Sequence, residues 1–285
     1  VLPALVLAAS DTAASHEALL SAVAAGDAQL AVAYAERAGR FDPAHCQTLA
    51  VADAQGYLLT GEKHCAFNAP NASQLLVSAR NGSKIEVYLV PRESKGLTLR
   101  AYDVLGGGVA ADVKLDKVRV GKDARVGGLN ALEAGLDRAT AIACAQALGG
   151  MKAMFERTSA YLRQRKQFGV AIGSFQVLQH RLVDMFVELE QSRSMVLMAA
   201  GKADSDDATE RGKAVSAAKA YLGKASKFVA QQAVQLHGGI GVTEELDVGH
   251  YFRQLTAFGA RLGDRDYHLA RFQKLNAQES SAVTA

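Results

Sequence analysis

The sequence predicts an α+β chain in which a β-barrel or sandwich domain is followed by an antiparallel four-helix bundle. Up to Gly127-Gly128, short runs of alternating apolar and polar residues are punctuated by turn chemistry at Asp53-Ala-Gln-Gly56, Asn68-Ala-Pro70 and Asn81-Gly82. Beyond that glycine pair no proline occurs, and apolar residues recur at helical spacing.

In order, a short helix is expected over residues 16–25, ended by Gly26-Asp27, where glycine tolerates the left-handed backbone of a helix stop. Period-two patterns then place strands at 29–35, 47–52, 56–62, 74–79, 84–91, 98–102 and 111–120. Their spacing suits an antiparallel barrel or sandwich. Helices are expected at 131–165, 173–201, 207–237, 244–256 and 264–276, antiparallel where the joins are short. Along the second of these, Leu182, Met185, Phe186, Leu189 and Val196 form an apolar face, with Arg181, Glu188, Glu190 and Arg193 largely elsewhere. Asp206 or Asp207 suits the N-cap of the third, because its carboxylate can accept backbone N–H groups. The division is therefore 1–25, a helical lead, 26–128, a β domain, and 129–285, a helical bundle. The chain begins with Val1 inside what reads as a helix end, so preceding sequence is expected.

A chain of 285 residues that is 49% hydrophobic and 21% charged can bury a substantial core. Its 32 basic and 29 acidic residues are interspersed, giving a net charge of +3 without a basic block of the kind that binds nucleic acid. Three cysteines, Cys46, Cys65 and Cys144, have neither disulfide-framework nor zinc-ligand spacing, which fits a reducing cytoplasm. No stretch supplies the roughly 20 apolar residues that a membrane span requires.

Two motifs carry the candidate chemistry. The first, Arg163-Gln-Arg165-Lys-Gln167-Phe168-Gly169 followed by Ser174-Phe-Gln176-Val-Leu-Gln179-His180, joins two helices. A guanidinium there is suited to a pyrophosphate, since its planar donors reach two phosphate oxygens at once. The second, Gln235-Leu-His237-Gly238-Gly239-Ile-Gly241, places glycines at a helix end, where backbone can approach phosphate or ribose without a Cβ in the way. Taken alone, the glycine pair is an ordinary helix stop and Arg165 an ordinary surface residue.

Together, in this order and after a β block, the motifs resemble the acyl-CoA dehydrogenase family over nearly all of the chain. The resemblance implies a middle β domain and a C-terminal four-helix bundle, with residues 1–25 a remnant of an otherwise absent N-terminal helical domain. It implies FAD held between these domains and a neighbouring subunit, hence at least a dimer. Arg165, Gln167, Phe168 and Gln176 would hold the pyrophosphate and adenosine half, and Gln235, Gly238 and Gly239 the ADP part at the partner's site. The substrate would be an acyl-CoA thioester and the electron acceptor electron-transfer flavoprotein.

The β block departs from the family pattern. Its Asn-Gly-Glu-Lys landmark reads Thr60-Gly61-Glu62-Lys63, and the usual Trp-Ile-Ser/Thr becomes Cys65-Ala66-Phe67. The Thr-Glu-Pro segment is replaced around Ala35-Glu36-Arg37. The family's chemistry needs a carboxylate to remove the substrate α-proton while the flavin accepts hydride from the β-carbon. Alignment on Gly263 puts Leu262 at the common position of that Glu, and the less common position reads Ala139. Asp264 and Asp137, each two residues away, are the remaining catalytic candidates, with an N-cap the stronger role for Asp264. Three readings follow: a subunit whose homologous partner supplies the Glu, a homo-oligomer with a shifted Asp base, or a non-catalytic scaffold. The small residues Ala141, Ala143, Ala145, Gly149 and Gly150 suit either a bulky substrate or close helix packing.

Overall fold

The computed structural model describes residues 1–283 and divides into two compact units, Val1–Ala139 and Thr140–Ala285.

The first unit opens with α1 (Leu2–Ala8) and α2 (Glu17–Ala25), the latter ended by Gly26 at φ 89°. Eight strands follow: β1 (Leu30–Ala33), β2 (Leu49–Asp53), β3 (Gly56–Phe67), β4 (Gln74–Asn81), β5 (Lys84–Pro91), β6 (Leu97–Asp103), β7 (Val109–Val120) and β8 (Arg125–Gly128). They form one sheet in the order β6-β7-β3-β2-β4-β5-β8, with β1 also paired to β4. The expectation of a wholly antiparallel sheet is corrected here. β1 runs parallel to β4, from Leu30 opposite Gln74 to Ala33 opposite Val77, and β2 meets β4 in parallel at Leu49 and Arg80. The segment between β1 and β4 carries the β2–β3 hairpin, and so long a connection permits a parallel return that a tight turn forbids. β8 was not expected, because Arg-Val-Gly-Gly carries a loop composition, and β3 continues past residue 62 to Phe67, with a register shift against β7 between Lys63 and Ala66.

β4 is buried on both faces. Leu75, Val77 and Ala79 join Leu59, Tyr88, Val113 and Leu115 in one core, while Leu76 turns to a second core with Val6, Leu7, Val32, Val87 and Leu132. That second core draws in helix α3 (Leu129–Gln164), which belongs to this unit through Ala139. A Cβ on Gly135 would lie 2.4 Å from Val6 Cγ2 and 2.9 Å from the Val6 backbone nitrogen. Gly135→Ala should therefore destabilise the protein by about 1–2 kcal/mol, since the clash outweighs the better helix propensity of alanine. An unfolding midpoint equal to or above wild type would show that α1 yields freely.

The second unit contains the remainder of α3, a two-stranded hairpin of β9 (Lys166–Gln167) and β10 (Val170–Ala171), and helices α4 (Gln176–Lys202), α5 (Ala208–His237), α6 (Val248–Ala260) and α7 (Arg265–Val283). α5 lies at the centre, packed against α4, α6 and α7. Small buried residues along it, including Gly212, Ala218, Ala225, Ser226 and Ala233, let three neighbours approach. Asp207 caps α5 by accepting N–H bonds from Thr209 (2.8 Å) and Glu210 (3.2 Å). In α4, Met185, Leu189 and Val196 enter the core and Leu182 is half-buried, but Phe186 is 48% exposed. One further step of 100° carries Phe186 off the Met185–Leu189 line, correcting its placement on the core face. α6 begins at Val248 rather than 244, because a 3₁₀ segment, Gly238–Val242, and a turn occupy the residues before it. Ala141 and Ala143 are buried in the bundle core with Cys144 and Ala147, and a Cβ on Gly150 would stand 3.2 Å from Leu255, so these positions serve close packing, whereas Ala145 and Gly149 are exposed and a Cβ on Gly149 would meet nothing within 4 Å. Among the described residues, no helix is long and apolar enough to cross a membrane.

Candidate functional site

The first motif folds into a structure that helical periodicity does not announce. α3 ends at Gln164, and Arg165 is held by its backbone: its N–H donates to Tyr161 O (2.8 Å) and its carbonyl accepts from Ile172 N–H (2.8 Å). Phe168 and Gly169 then form the two-residue loop of the β9–β10 hairpin at φ 54° and 81°, the sign that a type I′ turn demands at both positions. Glycine accepts this freely, whereas phenylalanine does so at a cost, and such strain clusters at functional sites. Phe168 is 92% exposed, its ring meeting Phe175 edge-on at 6.1 Å. The Arg165 and Gln167 side chains are also exposed, with Gln167 Nε2 donating to Lys166 O (2.8 Å). Gln176, the first residue of α4, is exposed as well. A guanidinium, an amide and an aromatic ring are thus exposed on one short hairpin, with a second amide at the helix start after it.

The second motif ends α5. Gly238 adopts φ 66° and ψ −145°, a region reserved almost wholly for glycine. Cβ atoms on Gly238 or Gly239 would meet nothing within 4 Å, whereas one on Gly241 would lie 2.7 Å from Val234 O. Gly241 is thus required by packing, while Gly238 and Gly239 present bare backbone beside the exposed Gln235. The two motifs come to one end of the bundle: the His237 ring stacks on Tyr161 with centroids 4.6 Å apart and donates from Nδ1 to Ala233 O (2.8 Å). Tyr161, one turn before Arg165, is the contact that the motif reading missed; its fourfold spacing from Arg165 is the signal in the sequence.

In the β unit, Glu36 is retained as a buried carboxylate despite the altered segment around it. Its oxygens accept from Lys63 Nζ (2.7 Å), Gln47 N–H (2.7 Å), Thr48 N–H (3.0 Å) and Thr48 Oγ1 (2.8 Å). Burial alone would raise its pKa, but the Lys63 bond, the two backbone donors and the Lys63 charge outweigh that effect and hold it at about 2. Cys65, where the family has Trp, is exposed at φ 52° in a β-bulge; Ala66 is buried and Phe67 half-buried. Around the bulge, Asp112 accepts from Cys65 N–H (3.3 Å), Arg100 (2.7 Å) and Tyr102 Oη (3.1 Å), with His64 Nδ1 at 3.3 Å.

The two residues expected at the family's base positions, Leu262 and Ala139, carry no titratable side chain. Leu262 is half-buried at φ 58°, and Ala139 is 6% exposed. Asp264 caps α7, its Oδ1 accepting the Tyr267 N–H at 2.8 Å. Asp137 is 2% exposed in the α3 segment of the first unit. The loop before α7 is fixed from within: Lys219 Nζ donates to Phe258 O (3.0 Å) and Gly263 O (2.6 Å), and His268 Nε2 lies 2.9 Å from Leu262 O. Burial lowers His268 to about 4, so it is neutral at pH 7 and donates from Nε2 to that carbonyl. Sequence reading did not single out Lys219, a lysine in a helix that looks like any surface cation.

Comparison with known proteins accords with this arrangement. Residues 31–118 match the model of the acyl-CoA dehydrogenase middle domain, and 127–275 that of the acyl-CoA dehydrogenase C-terminal domain. A probable acyl-CoA dehydrogenase, YngJ of Bacillus subtilis, is 32% identical over 247 residues, covering 82% of this chain and 64% of that protein. The chain thus spans less than two thirds of the length of that relative. Among solved structures, a steroid ACAD variant superimposes with a TM-score of 0.88 at 30% identity, covering 98% of this chain and 75% of the other. The ChsE4–ChsE5 complex of Mycobacterium tuberculosis does so with a TM-score of 0.87 at 28% identity, covering 97% and 74%. With two family domains in sequence order and the fold matched along its length, the chain belongs to the acyl-CoA dehydrogenase family.

Proposed function

We propose that this chain is a subunit of an FAD-dependent acyl-CoA dehydrogenase, catalysing α,β-dehydrogenation of an acyl-CoA thioester, with the catalytic Glu on a homologous partner subunit. The observation that carries the reading is the pairing of an equipped cofactor end with an unequipped base position. The exposed Arg165, Gln167 and Phe168 of the hairpin, Gln176 at the start of α4, and the bare backbone at Gly238-Gly239 beside Gln235 suit a dinucleotide. Arg165 would grip the pyrophosphate, Phe168 would pack on the adenine, and the glycines would admit the ADP of FAD at the partner's site. Bound FAD supplies the hydride acceptor, and electron-transfer flavoprotein would take the electrons onward.

Proton abstraction is where this chain falls short, since Leu262 and Ala139 offer no base. Asp264 spends an oxygen on its helix cap and Asp137 is enclosed, which favours a partner's Glu over either Asp. The ChsE4–ChsE5 complex, a structural neighbour containing two differently named chains, supports the heteromeric form. In this reading residues 26–128 form the middle domain and 129–285 the bundle.

The test is to purify the full-length protein from its native host, record its flavin spectrum and identify co-purifying chains by mass spectrometry. A yellow complex with a Glu-bearing homologue is expected. An active yellow homo-oligomer would move the base to Asp264 or Asp137, and a colourless preparation would leave a scaffold. In the yellow complex, Arg165→Ala should weaken FAD binding about tenfold, the loss of a charge-assisted phosphate contact. Unchanged flavin occupancy on dilution would remove Arg165 from the phosphate site.

A further inference from the structure

We propose that Lys63 and Cys46 form a covalent crosslink through a single oxygen atom, making the interior of the β domain a redox-sensitive modification site. The inference is independent of the proposed activity. Lys63 Nζ lies 3.4 Å from Cys46 Sγ. Both atoms are held in place. Lys63, 0% exposed, is pinned by Glu36 Oε1 (2.7 Å) and Ser78 Oγ (3.0 Å). The Cys46 thiol faces Glu36 Oε1 at 3.6 Å and the carbonyls of Thr48 and Ser78 at 3.7 Å each. An amine and a thiol in van der Waals contact, with hydrogen-bonded neighbours able to relay the ammonium proton, are the reactants of such a bridge.

An oxidant can approach Cys46. Cys46 is 8% exposed and lines an open hollow of about 410 Å³ with His45, Gln47 and Arg80. Burial raises the thiol above its ordinary pKa, so the sulfur reacts slowly at neutral pH and oxidation requires sustained exposure.

After the ammonium proton has left to bulk water, the net reaction is RNH2 + R′SH + O2 → RNH–O–SR′ + H2O. One N–H and the S–H bond break, and N–O and O–S bonds form. Nitrogen and sulfur each lose two electrons, and dioxygen takes up all four. Hydrogen peroxide serves equally, two equivalents giving the same bridge and three waters. An interposed oxygen leaves nitrogen and sulfur farther apart than a direct N–S bond would, so the pinned Lys63 moves least on forming it. The bridged nitrogen is far less basic than an alkylammonium, and Glu36 is left buried opposite a neutral group. Oxidation is thereby converted into a change of charge inside the β domain.

The full-length protein, reduced and then treated with dilute hydrogen peroxide, is examined by intact mass and by tandem mass spectrometry of its digest. The expected product is heavier by one oxygen less two hydrogens, links the peptides of Cys46 and Lys63, and reverts on thiol treatment. Cys46→Ser, which keeps Lys63 and Glu36, should form none. Three results would overturn the proposal: no linked peptide, Cys46 oxidised to a sulfenic or sulfinic acid without linkage, or a linkage that lacks the oxygen.

Discussion

Lys63→Met is expected to lower stability by about 3–5 kcal/mol, because it strands the Glu36 carboxylate in the core of the β unit. Lys63 is 0% and Glu36 6% exposed, and their 2.7 Å contact is the one full counter-charge that the carboxylate receives. The donors from Gln47 and Thr48 remain in the variant, which keeps the loss below that of a naked buried charge. Urea unfolding of the variant measures the effect, and a loss under about 1 kcal/mol would mean that the pair is not buried as described. Glu36→Gln combined with Lys63→Met should recover much of the stability, since a neutral pair leaves no charge uncompensated. The pH dependence has a definite sign. Glu36 titrates at about 2 in the folded protein against an ordinary 4.5, so its stabilising contribution is present above 4.5 and lost as pH falls toward 2. The difference between wild type and Lys63→Met should shrink across that window.

How far this pair was legible in the sequence shows where sequence reasoning stops. Lys63 stood in a recognisable landmark, Thr60-Gly61-Glu62-Lys63, but its partner lies 27 residues earlier in a segment whose usual neighbours are replaced. No period or spacing joins the two; only the return of β3 past the β1–β2 connection does. Local features fared better. Strand 84–91 is observed as Lys84–Pro91, because a run rich in β-branched and aromatic residues lies between Asn81-Gly82 and Pro91, and α5 runs from its Asp207 cap to Gly238. The parallel pairing of β1 was invisible, since alternation reports which face a residue takes and not the direction of its neighbour. The two motifs were legible as strings, but not the hairpin that lifts Phe168 to 92% exposure, which follows from a backbone at φ 54° rather than from hydrophobicity. Asp264 was legible as a helix cap, the role in which its Oδ1 accepts the Tyr267 N–H, while Lys219 passed as an ordinary cation.

Lys219→Met is the second large effect, and its pH dependence separates it from simple loss of packing. The amine is 0% exposed, lies 4.4 Å from the Phe258 ring centroid and donates to the carbonyls of Phe258 and Gly263. Methionine fills similar space but donates nothing. Phe258 O keeps the Arg261 N–H at 3.2 Å, whereas Gly263 O loses its 2.6 Å donor, so the cost at pH 7 should be about 2 kcal/mol. Burial, the dominant influence, brings Lys219 down to about 8 from 10.5, against smaller raising effects of Cys144 and Asp264. A group whose folded pKa is depressed contributes stability above its unfolded pKa and loses it as pH falls through the folded value. Wild type should therefore gain on Lys219→Met as pH rises from 8 to 10.5, by up to about 3 kcal/mol. Other groups that titrate in this range cancel in the difference between the two proteins. A gap that stays constant with pH would mean that the amine is hydrated, and a gap that narrows would reverse the sign of its burial. The anchored loop carries Leu262 and Gly263 at φ 58° and 106°, with His268 bonded to the Leu262 carbonyl. Losing the Lys219 anchor removes the donor to the Gly263 carbonyl and leaves the His268 bond to the Leu262 carbonyl in place. The 261–268 segment should therefore open more readily in Lys219→Met than in wild type, with hydrogen exchange at its amides as the direct measure.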